Sequence, residues 1–362
     1  MEYLAFASIA YLAVRLFVAF TNLITRPYLH RGKPACLPFV SILIPARNEE
    51  GNIGALLSDL SLLNYPHFEI IVYDDDSDDN TALIIHEAES SNNRIRYLRG
   101  NGPDQGWLGK NYACDKLASQ AKGEYFLYLD ADVRVSSEIL NDSIAHMQRH
   151  KLSLFSMFPV QIMKTWGEWM AVPLMNRILI GNLPMIMAVK SSISAFAAAN
   201  GQFMMFDADV YRKNRFHYKF RDERVEDIRI ARHMKGLGYR IHTLLSGGQI
   251  SCRMYRNYRE GLAGFSKNIH AFFGNSWLIL ILYNLLTGLG PFAVLFALSF
   301  KSMMVYLFLL ILLNIMISVQ SRQTVHKNLI LMPFQQFSVL LISLKGVHRQ
   351  LTGRQFWKGR KV

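Results

Sequence analysis

Hydrophobic residues are spread unevenly along the chain, in long runs near both ends and in short runs between them. Three stretches are long and nearly free of charged residues, at positions 3–24, 277–300 and 303–319. Each is close to the length of a helix that crosses a bilayer core of roughly 30 Å. Buried helices of a soluble protein are the alternative for the pair between 277 and 319. A fourth stretch, 329–344, is shorter and contains a proline and two glutamines, so it predicts an interfacial or re-entrant helix, or a weak fourth span.

Between these runs, short apolar segments alternate with segments of helical spacing. The apolar segments are brief and end at turn residues, as buried parallel strands do. Predicted strands cover residues 39–45, 70–73, 94–98 and 125–129, and predicted helices cover residues 48–63, 80–89, 111–120 and 228–235. This alternation predicts an α/β fold, a mostly parallel sheet that binds ligands at the carboxyl ends of its strands.

The charge of the chain follows the apolar runs. Its 362 residues carry a net charge of +13. Basic residues cluster directly after the first apolar run, at Arg26, Arg31 and Lys33, and in the tail from 346 onwards. Because these clusters flank spans and form no recognition motif, no nucleic acid is expected as a partner. By the positive-inside rule they predict a multi-pass protein of the cell membrane with a cytoplasmic catalytic domain.

The predicted organisation has four parts. They are an N-terminal membrane anchor at 1–25, a catalytic domain at 38–270, membrane helices at 277–345 and a basic cytoplasmic tail at 346–362. Cys36, Cys114 and Cys252 are far apart and lack the paired spacing of metal ligands, so no zinc site is expected.

Two acidic turns follow predicted strands. One covers residues 74–79 and includes Asp75 and Asp79, and the other is Asp130-Ala131-Asp132. Crowded carboxylates repel one another unless a cation or hydrogen-bond donors lie beside them. Oxygen ligands of this kind suit Mg²⁺ or Mn²⁺, which predicts a metal held together with a nucleoside diphosphate. The alternatives are an Asp-rich turn that satisfies its own backbone and a helix-capping motif.

Three further motifs lie at segment ends. The loop 45–50 contains Arg47 and opens a predicted helix, an arrangement that favours anions, although solvated capping is the alternative. Lys110, in the turn 107–111, suits a phosphate, or belongs to an ordinary surface turn. Glu226 and Asp227 open another predicted helix, where a carboxylate can serve as a general base or can favour the helix dipole.

Read in order, these segments closely resemble the family-2 glycosyltransferases with the GT-A fold. The matching segments are 44–50, Asp75-x-Ser77-x-Asp79, 106–110, Asp130-x-Asp132, Asn200-Gly201-Gln202 and Glu226-Asp227. Together they extend over about residues 40–270. The flanking apolar runs, the stretch 253–256 and the terminal segment 357–360 are similar to a membrane-associated subgroup that includes bacterial carotenoid and hopanoid glycosyltransferases.

The resemblance implies a role for each matched residue. Asp75 would contact the uracil or ribose of a UDP-sugar, and Lys110 would lie near its diphosphate. Asp132, helped by Asp130, would hold Mn²⁺ or Mg²⁺, and Asp227, paired with Glu226, would deprotonate the acceptor with inversion at the sugar. The residues implied to bind the nucleotide sugar are Pro45, Ala46, Arg47, Glu49, Asp75, Lys110, Asp130 and Gln202.

The chain departs from the family pattern at three places. Asp76 stands where glycine is usual, and residues 214–217 replace the usual Gly-Gly-His. The Gln-x-x-Arg-Trp motif of polysaccharide synthases is absent from 259–268, where Lys267 is a candidate to face the diphosphate or to snorkel. This absence predicts transfer of a single sugar rather than polymer synthesis.

The expected acceptor is a hydrophobic membrane lipid, with a carotenoid as the first choice. Polyprenyl phosphate, a hopanoid or a ceramide-like lipid are the enzymatic alternatives, and a degenerate transferase that acts as a membrane partner is the non-enzymatic one. The region 166–189 is rich in apolar residues and predicts either domain core or an interfacial surface that admits the acceptor.

Overall fold

The computed structural model describes residues 1–352 and, beyond them, the short strands Phe356–Trp357 and Arg360–Lys361. Residues 346–352 of the predicted basic tail continue the last helix, and residues 353–355, 358–359 and 362, which include the middle of the terminal segment 357–360, lie outside the described residues. The strands up to residue 352 are β1 Val40–Ala46, β2 Phe68–Asp74, β3 Ile95–Arg99, β4 Tyr125–Leu129, β5 Val133–Val135, β6 Leu154–Phe158, β7 Val160–Gln161, β8 Phe203–Asp207, β9 Ile241–Leu245 and β10 Ile250–Cys252.

Helices pack around these strands and extend the chain at both ends. Those of the first 240 residues are α1 Glu2–Thr25, α2 Ile53–Ser61, α3 Thr81–Ser91, α4 Gly109–Gln120, α5 Ile139–His150, α6 Trp166–Ala171, α7 Leu174–Asn182, α8 Met185–Lys190, α9 Ala208–Asn214, α10 Phe216–Lys219 and α11 Glu226–Gly236. Those that follow are α12 Tyr258–Phe272, α13 Trp277–Asn284, α14 Gly290–Ala297, α15 Phe300–Gln320, α16 Val325–Ile330 and α17 Met332–Thr352.

Seven strands form the central sheet, in the order β3-β2-β1-β4-β8-β6-β9. All neighbouring pairs are parallel except the two that involve β8, which runs antiparallel to β4 and to β6. The α/β prediction is confirmed, and all four predicted strands are present. Strand β1 is almost entirely buried, as expected for a central parallel strand covered on both faces.

One predicted helix begins later than the sequence pattern indicates. The helix expected from residue 48 begins at Ile53. Asn48 has a positive φ of 51°, and the backbone amides of Asn48 and Glu49 donate to Ser77 and Thr81 of the neighbouring loop. These amides are therefore bound to another part of the chain, and helical residues start only beyond the turn.

A small second sheet, β5-β10-β7, lies next to the carboxyl end of β4. Strand β10 pairs antiparallel with β5, which begins directly after the Asp130–Asp132 turn, and parallel with β7. It ends at Cys252 and leads into α12. This sheet therefore brings residues from the last third of the domain next to the second acidic turn.

Three helical stretches are long and apolar enough to cross a membrane among the described residues. They are Glu2–Thr25, Trp277–Ala297, which includes a π-helical turn at Leu285–Leu289, and Phe300–Gln320. Large apolar side chains on them face outwards, such as Phe17, Phe296 and Phe308, which are 70%, 74% and 65% exposed. The fourth apolar run lies mostly in α17, which packs along α12, with Tyr258 hydrogen-bonded to Ser338.

The first helix is fastened to α7 and α8 by polar contacts. Asn22 donates to the carbonyls of Ile180 and Leu183 and accepts from the amide of Met185. Arg15, also buried, donates to the carbonyl of Arg177. Ionisable side chains within apolar spans normally face a protein interior, and this one connects the N-terminal helix to the catalytic domain.

Candidate active site

Two loops at the carboxyl ends of β1 and β2 are joined into one surface. The amide of Asp75 donates to the carbonyl of Ala46 at 2.8 Å. The amide of Glu50 donates to Asp79 at 3.2 Å. Burial raises the pKa of the Asp79 carboxyl, but hydrogen bonds from Thr81 and from the Glu50 amide outweigh it and leave that pKa below its usual value. The first acidic turn therefore holds the preceding loop in place.

Arg47 is the cation of this surface, and it is 7% exposed. Its guanidinium donates to the carbonyls of Asp75 and Asp76, and it lies 3.6 Å from the carboxylate of Asp78. Asp76 has a φ of 56°. Glycine adopts that backbone region at no cost and aspartate tolerates it, which explains why this chain can carry aspartate where glycine is usual.

Lys110, at the start of α4, lies between two acidic groups. Its ammonium nitrogen is 2.7 Å from Asp130 and 3.4 Å from Glu226. Burial lowers the pKa of Lys110, but the two carboxylates raise it by more, so the ammonium stays charged. Lys110 therefore joins the turn after β4 to the start of α11.

Asp132, the second acid of the later turn, is held by the amide of Gln202, whose nitrogen lies 3.3 Å from the Asp132 carboxylate and 2.8 Å from the sulfur of Cys252. Burial, followed by the charges of Asp130 and Glu49, raises the pKa of Asp132 to about 6. The part of this increase that comes from Asp130 and Glu49 is repulsion between carboxylates, and a bound cation would relieve it.

Glu226 and Asp227 open α11 directly beside Lys110. Asp227 accepts hydrogen bonds from the amides of Gly201 and Ile228, at 2.9 and 2.7 Å. Burial raises the pKa of Asp227 and raises that of Glu226 to about 7, with Lys110 opposing and the neighbouring acid reinforcing the shift. A carboxyl whose pKa lies near neutral pH is well matched to taking up a proton.

Gly201 is where these groups converge. A Cβ atom at Gly201 would lie 2.8 Å from the Lys110 nitrogen and within 3.6 Å of the carboxylates of Glu226 and Asp227. Any side chain at this position would displace the lysine. The glycine thus allows the backbone amide to hydrogen-bond Asp227 while the lysine passes in front of it.

A single cavity of about 1080 Å³ joins these groups. The residues that the family resemblance assigns to the nucleotide sugar, the metal or the general base all line this cavity. They are Pro45, Ala46, Arg47, Glu49, Asp75, Lys110, Asp130, Asp132, Gln202, Glu226 and Asp227. Lys267, on α12, lines it as well. Segments from Pro45 to Lys267 in the chain therefore share one site at the carboxyl edge of the sheet.

The opposite wall of the cavity is apolar. Helix α7, within the region 166–189, contributes Met175, Ile178 and Leu179, and α12 contributes Phe265 and Phe272. These two helices pack against the membrane-type helices in one apolar cluster. One part of the cavity is thus charged and the other is lined by apolar side chains continuous with the candidate spans.

Two arginines of the cavity wall were given no role by the sequence. Arg256 donates to Asn52 and to the carbonyl of Gly51, at 3.1 and 3.4 Å, so it connects the start of α12 to the loop after β1. Arg253 pairs with the buried Glu168 at 2.7 Å. In the sequence, the stretch 253–256 indicates only a likeness to a membrane-associated subgroup. No local pattern indicates that Arg253 and Arg256 contact residues this far away in the chain.

The acidic groups meet the chemical requirements of a divalent metal. Asp130, Asp132, Glu226 and Asp227 bring four carboxylates to one cavity wall and Lys110 brings one cation. Oxygen ligands with excess negative charge suit Mg²⁺ or Mn²⁺. Asp132 and Asp130 are the residues whose mutual repulsion such an ion would offset.

Part of the chain matches a known family model. The model of Glycosyl transferase family 2 matches residues 41–214. The beta-monoglucosyldiacylglycerol synthase of Trichormus variabilis is 36% identical over 118 residues, which are 32% of this chain and 25% of that protein. The 4,4'-diaponeurosporenoate glycosyltransferase of Staphylococcus haemolyticus is 26% identical over 239 residues, 64% of this chain and 60% of that protein. The chain thus spans between a quarter and three fifths of these relatives.

The fold is shared with a solved transferase. The mannosyltransferase PcManGT from Pyrobaculum calidifontis, solved with GDP-Man and Mn²⁺, superposes with a TM-score of 0.64 at 16% identity. The alignment covers 96% of this chain and 98% of that one, so the likeness includes the membrane-type helices. Residues 41–214 thus match the family-2 glycosyltransferase domain, and the chain has the GT-A fold.

Proposed function

We propose that this protein transfers one sugar from a UDP-sugar to a hydrophobic lipid within the membrane, with inversion at the anomeric carbon. The observation that carries this proposal is the single cavity whose charged end lies at the strand termini and whose apolar end adjoins the candidate spans. A soluble donor and a lipid acceptor need such a cavity, because the donor enters from water, the acceptor enters from the membrane, and the two must meet at the catalytic carboxylates.

The donor is proposed to bind at the charged end. Asp75, at the end of β2, is buried there beside the loop of Ala46 and Arg47, where a carboxylate can accept hydrogen bonds from a base or a ribose. Arg47 and Lys110 supply positive charge on either side of the cavity. The UDP moiety is our proposal on the strength of the family resemblance.

Asp132 and Asp130 are the proposed ligands of Mn²⁺ or Mg²⁺. When bound, such an ion offsets the charge of the diphosphate and so favours its departure. Lys110 sits on the other side of Asp130 and keeps Glu226 close to the same place. Lys110 thus fixes the positions of Asp130 and Glu226 relative to each other.

Asp227, paired with Glu226, is the proposed general base. An acceptor hydroxyl would lose its proton to Asp227 while its oxygen bonds to the anomeric carbon and the bond from that carbon to UDP breaks; an acceptor that ends in a carboxylate would form the same bond without this proton transfer. Two backbone amides aim the Asp227 carboxylate, so little reorganisation is needed during the transfer.

The acceptor is proposed to enter between α7 and α12. Their apolar side chains line the cavity and pack with the candidate spans. A carotenoid is our first choice, supported by the likeness to the diaponeurosporenoate enzyme, and a diacylglycerol lipid is the choice that the glucosyldiacylglycerol synthases support. We place the catalytic domain in the cytoplasm, because basic residues follow α1 closely.

The test is release of UDP by the protein purified in detergent. UDP-sugars and GDP-sugars are compared with Mn²⁺, with Mg²⁺ and with EDTA, with and without a total lipid extract from the source cells. We expect UDP release that needs the metal and increases with the extract, together with a labelled lipid product. Release of GDP alone would overturn the donor, and nucleotide binding without release from any sugar nucleotide would favour the non-catalytic alternative.

The bond in the labelled product separates the acceptor classes. In mild base a sugar ester of a carotenoid acid releases the free sugar, whereas a glycoside of a diacylglycerol loses its fatty acids and keeps the sugar on glycerol. A sugar phosphodiester of a polyprenol breaks in mild acid. An acid-labile product would replace our choice with polyprenyl phosphate.

A further inference from the structure

Three histidines that the sequence analysis did not use come together outside the cavity. His146 and His150 lie on α5, and His242 lies in β9. Residues four apart share one face of a helix, and β9 begins beside that face. One ring nitrogen from each of the three lies within 4.8 Å of the other two, and Nε2 of His146 is 3.1 Å from Nδ1 of His242.

The histidine cluster is packed as a unit. The ring centroids of His146 and His150 are 4.6 Å apart, and those of His150 and His242 are 4.8 Å apart. The ring of Phe155 closes the inner side, 4.8 Å from that of His146. The three imidazoles thus form a pocket with an apolar floor that is open to solvent on the side of His150.

The imidazoles of this cluster are held neutral. Burial, followed by the charges of the neighbouring histidines, lowers the pKa of His146 to about 3 and that of His242 to about 4. Burial and the charge of Arg149 lower that of His150. Neutral imidazole is the form that ligates metals, and the proton shared between Nε2 of His146 and Nδ1 of His242 would move to the other nitrogen of its ring when a metal binds. Arg149 and Lys235 also oppose any bound cation, which limits its affinity.

We propose that His146, His150 and His242 form a binding site for one divalent transition-metal ion of the Zn²⁺ class. Tetrahedral zinc with bonds of about 2.0–2.1 Å holds its nitrogen ligands about 3.3 Å apart. The nitrogens of His146 and His242 already have nearly that separation, at 3.1 Å. Rotation of the exposed His150 side chain brings in the third ligand. Three protein ligands leave the fourth position to water.

This histidine site is separate from the catalytic cavity, whose lining includes none of the three residues. Strand β9 runs parallel to β6 at the edge of the sheet, and His242 is near its amino end, whereas the acidic turns lie at carboxyl ends. Imidazole ligands favour Zn²⁺, Co²⁺ or Ni²⁺ over Mg²⁺ and Mn²⁺, so the two sites select different ions. An ion bound here would fasten α5 to the edge strand.

The test uses the full chain without a polyhistidine tag, in detergent and with excess Mg²⁺ to occupy the carboxylates of the cavity. Co²⁺ is titrated while its visible absorption is followed, and the bound ion is counted by equilibrium dialysis. We expect one equivalent per chain with the absorption of nitrogen-ligated Co²⁺, its displacement by Zn²⁺, and an increase of Tm in Zn²⁺. Absence of any bound Co²⁺ would overturn the proposal.

Two variants and a control locate the ion. His150→Gln replaces an exposed side chain, so it is expected to fold and to lose the equivalent of Co²⁺ and the increase of Tm; His146→Gln is expected to do the same. His86→Gln, at an exposed position on α3, is the control and should retain both. UDP release should be unchanged in all three, and full Co²⁺ binding by His150→Gln and His146→Gln would refute the site.

Discussion

The charged end and the apolar end of the cavity are built in different ways. At the charged end, short loops at strand termini place Asp75, Asp130 and Asp132, and each loop is a few residues long. At the apolar end, side chains of α7 and α12 line the same cavity although about 80 residues separate the two helices. The comparison teaches that the charged end is encoded mainly by short segments, whereas the apolar end depends on how distant helices pack. Substitutions at the two ends should therefore affect different kinetic constants.

The largest effect is expected from Asp132→Ala. Loss of the proposed metal ligand should reduce turnover at least about 1000-fold, since a bound divalent ion supplies several kcal/mol of charge stabilisation. The measurement is UDP release at saturating Mn²⁺, together with Mn²⁺-dependent UDP binding. Asp209→Ala, at an exposed carboxylate on α9, is the control. Turnover within tenfold of the native value would exclude Asp132 as a ligand.

Asp227→Asn should come next, with a loss of about 100-fold to 10,000-fold in kcat, the usual contribution of a general base. The amide keeps the size of the side chain, so UDP binding measured by calorimetry should stay the same. Weak UDP binding in this variant would give Asp227 a structural role instead.

Acidic pH should reduce activity through the Glu226–Asp227 pair. Burial raises the pKa values of both carboxyls, to about 7 for Glu226. Because Asp227 needs its charged form to accept a proton and burial raises its pKa, kcat/KM should decrease at acidic pH, with Glu226 beside it taking up a proton as the pH falls through about 7. Lys110→Ala removes the cation that holds the Glu226 pKa down, so the decrease should shift to higher pH and the donor KM should rise.

Lys116→Ala is the control for this pH dependence, since Lys116 lies on the same helix over the ring of Tyr112. A profile of kcat/KM that is flat between pH 5.5 and 8, or one that Lys110→Ala leaves in place, would contradict this assignment.

A smaller and more selective effect is expected at the apolar end. Leu179→Glu places a carboxylate against the proposed lipid, and an unpaired polar group in an apolar contact costs about 1–3 kcal/mol. The acceptor KM should rise about tenfold or more while the donor KM stays constant. Leu62→Glu, at an exposed position after α2, is the control. An equal change in both constants would mean that the two ends are not independent.

The smallest effect is expected from Arg256→Ala, which removes the hydrogen bonds to Gly51 and Asn52. Partly exposed contacts of this kind contribute about 1 kcal/mol, so the donor KM should rise by less than about tenfold. An acceptor KM that rises in place of the donor KM would assign Arg256 to the other end of the cavity.

The sequence predicts this molecule well where a short segment is sufficient. The strand before each acidic turn, and the turn itself, depend on neighbours within ten residues, and β4 has the predicted bounds of 125–129. The sequence also shows Asp76 where the family usually has glycine. The φ of 56° at Asp76 explains why glycine is usual there.

Features that depend on distant contacts could not be predicted. The helix start moved from residue 48 to Ile53 because Ser77 and Thr81 bind the intervening amides. The pairing of Lys110 with Glu226 and the meeting of His146 with His242 require folding of the whole sheet. Cysteine spacing alone predicts no zinc site. The histidines of the cluster lie on α5 and β9, so no short sequence motif joins all three.

The attachment of α1 has a practical consequence for protein production. Shortening the chain to begin after Thr25 is the obvious way to obtain a more soluble sample. It would remove Asn22 from the carbonyls of Ile180 and Leu183 and from the amide of Met185, all at the end of the helix that lines the acceptor side. Under the proposed function we expect such a sample to keep nucleotide binding while its lipid selectivity changes, so acceptor screens belong on a chain that retains α1.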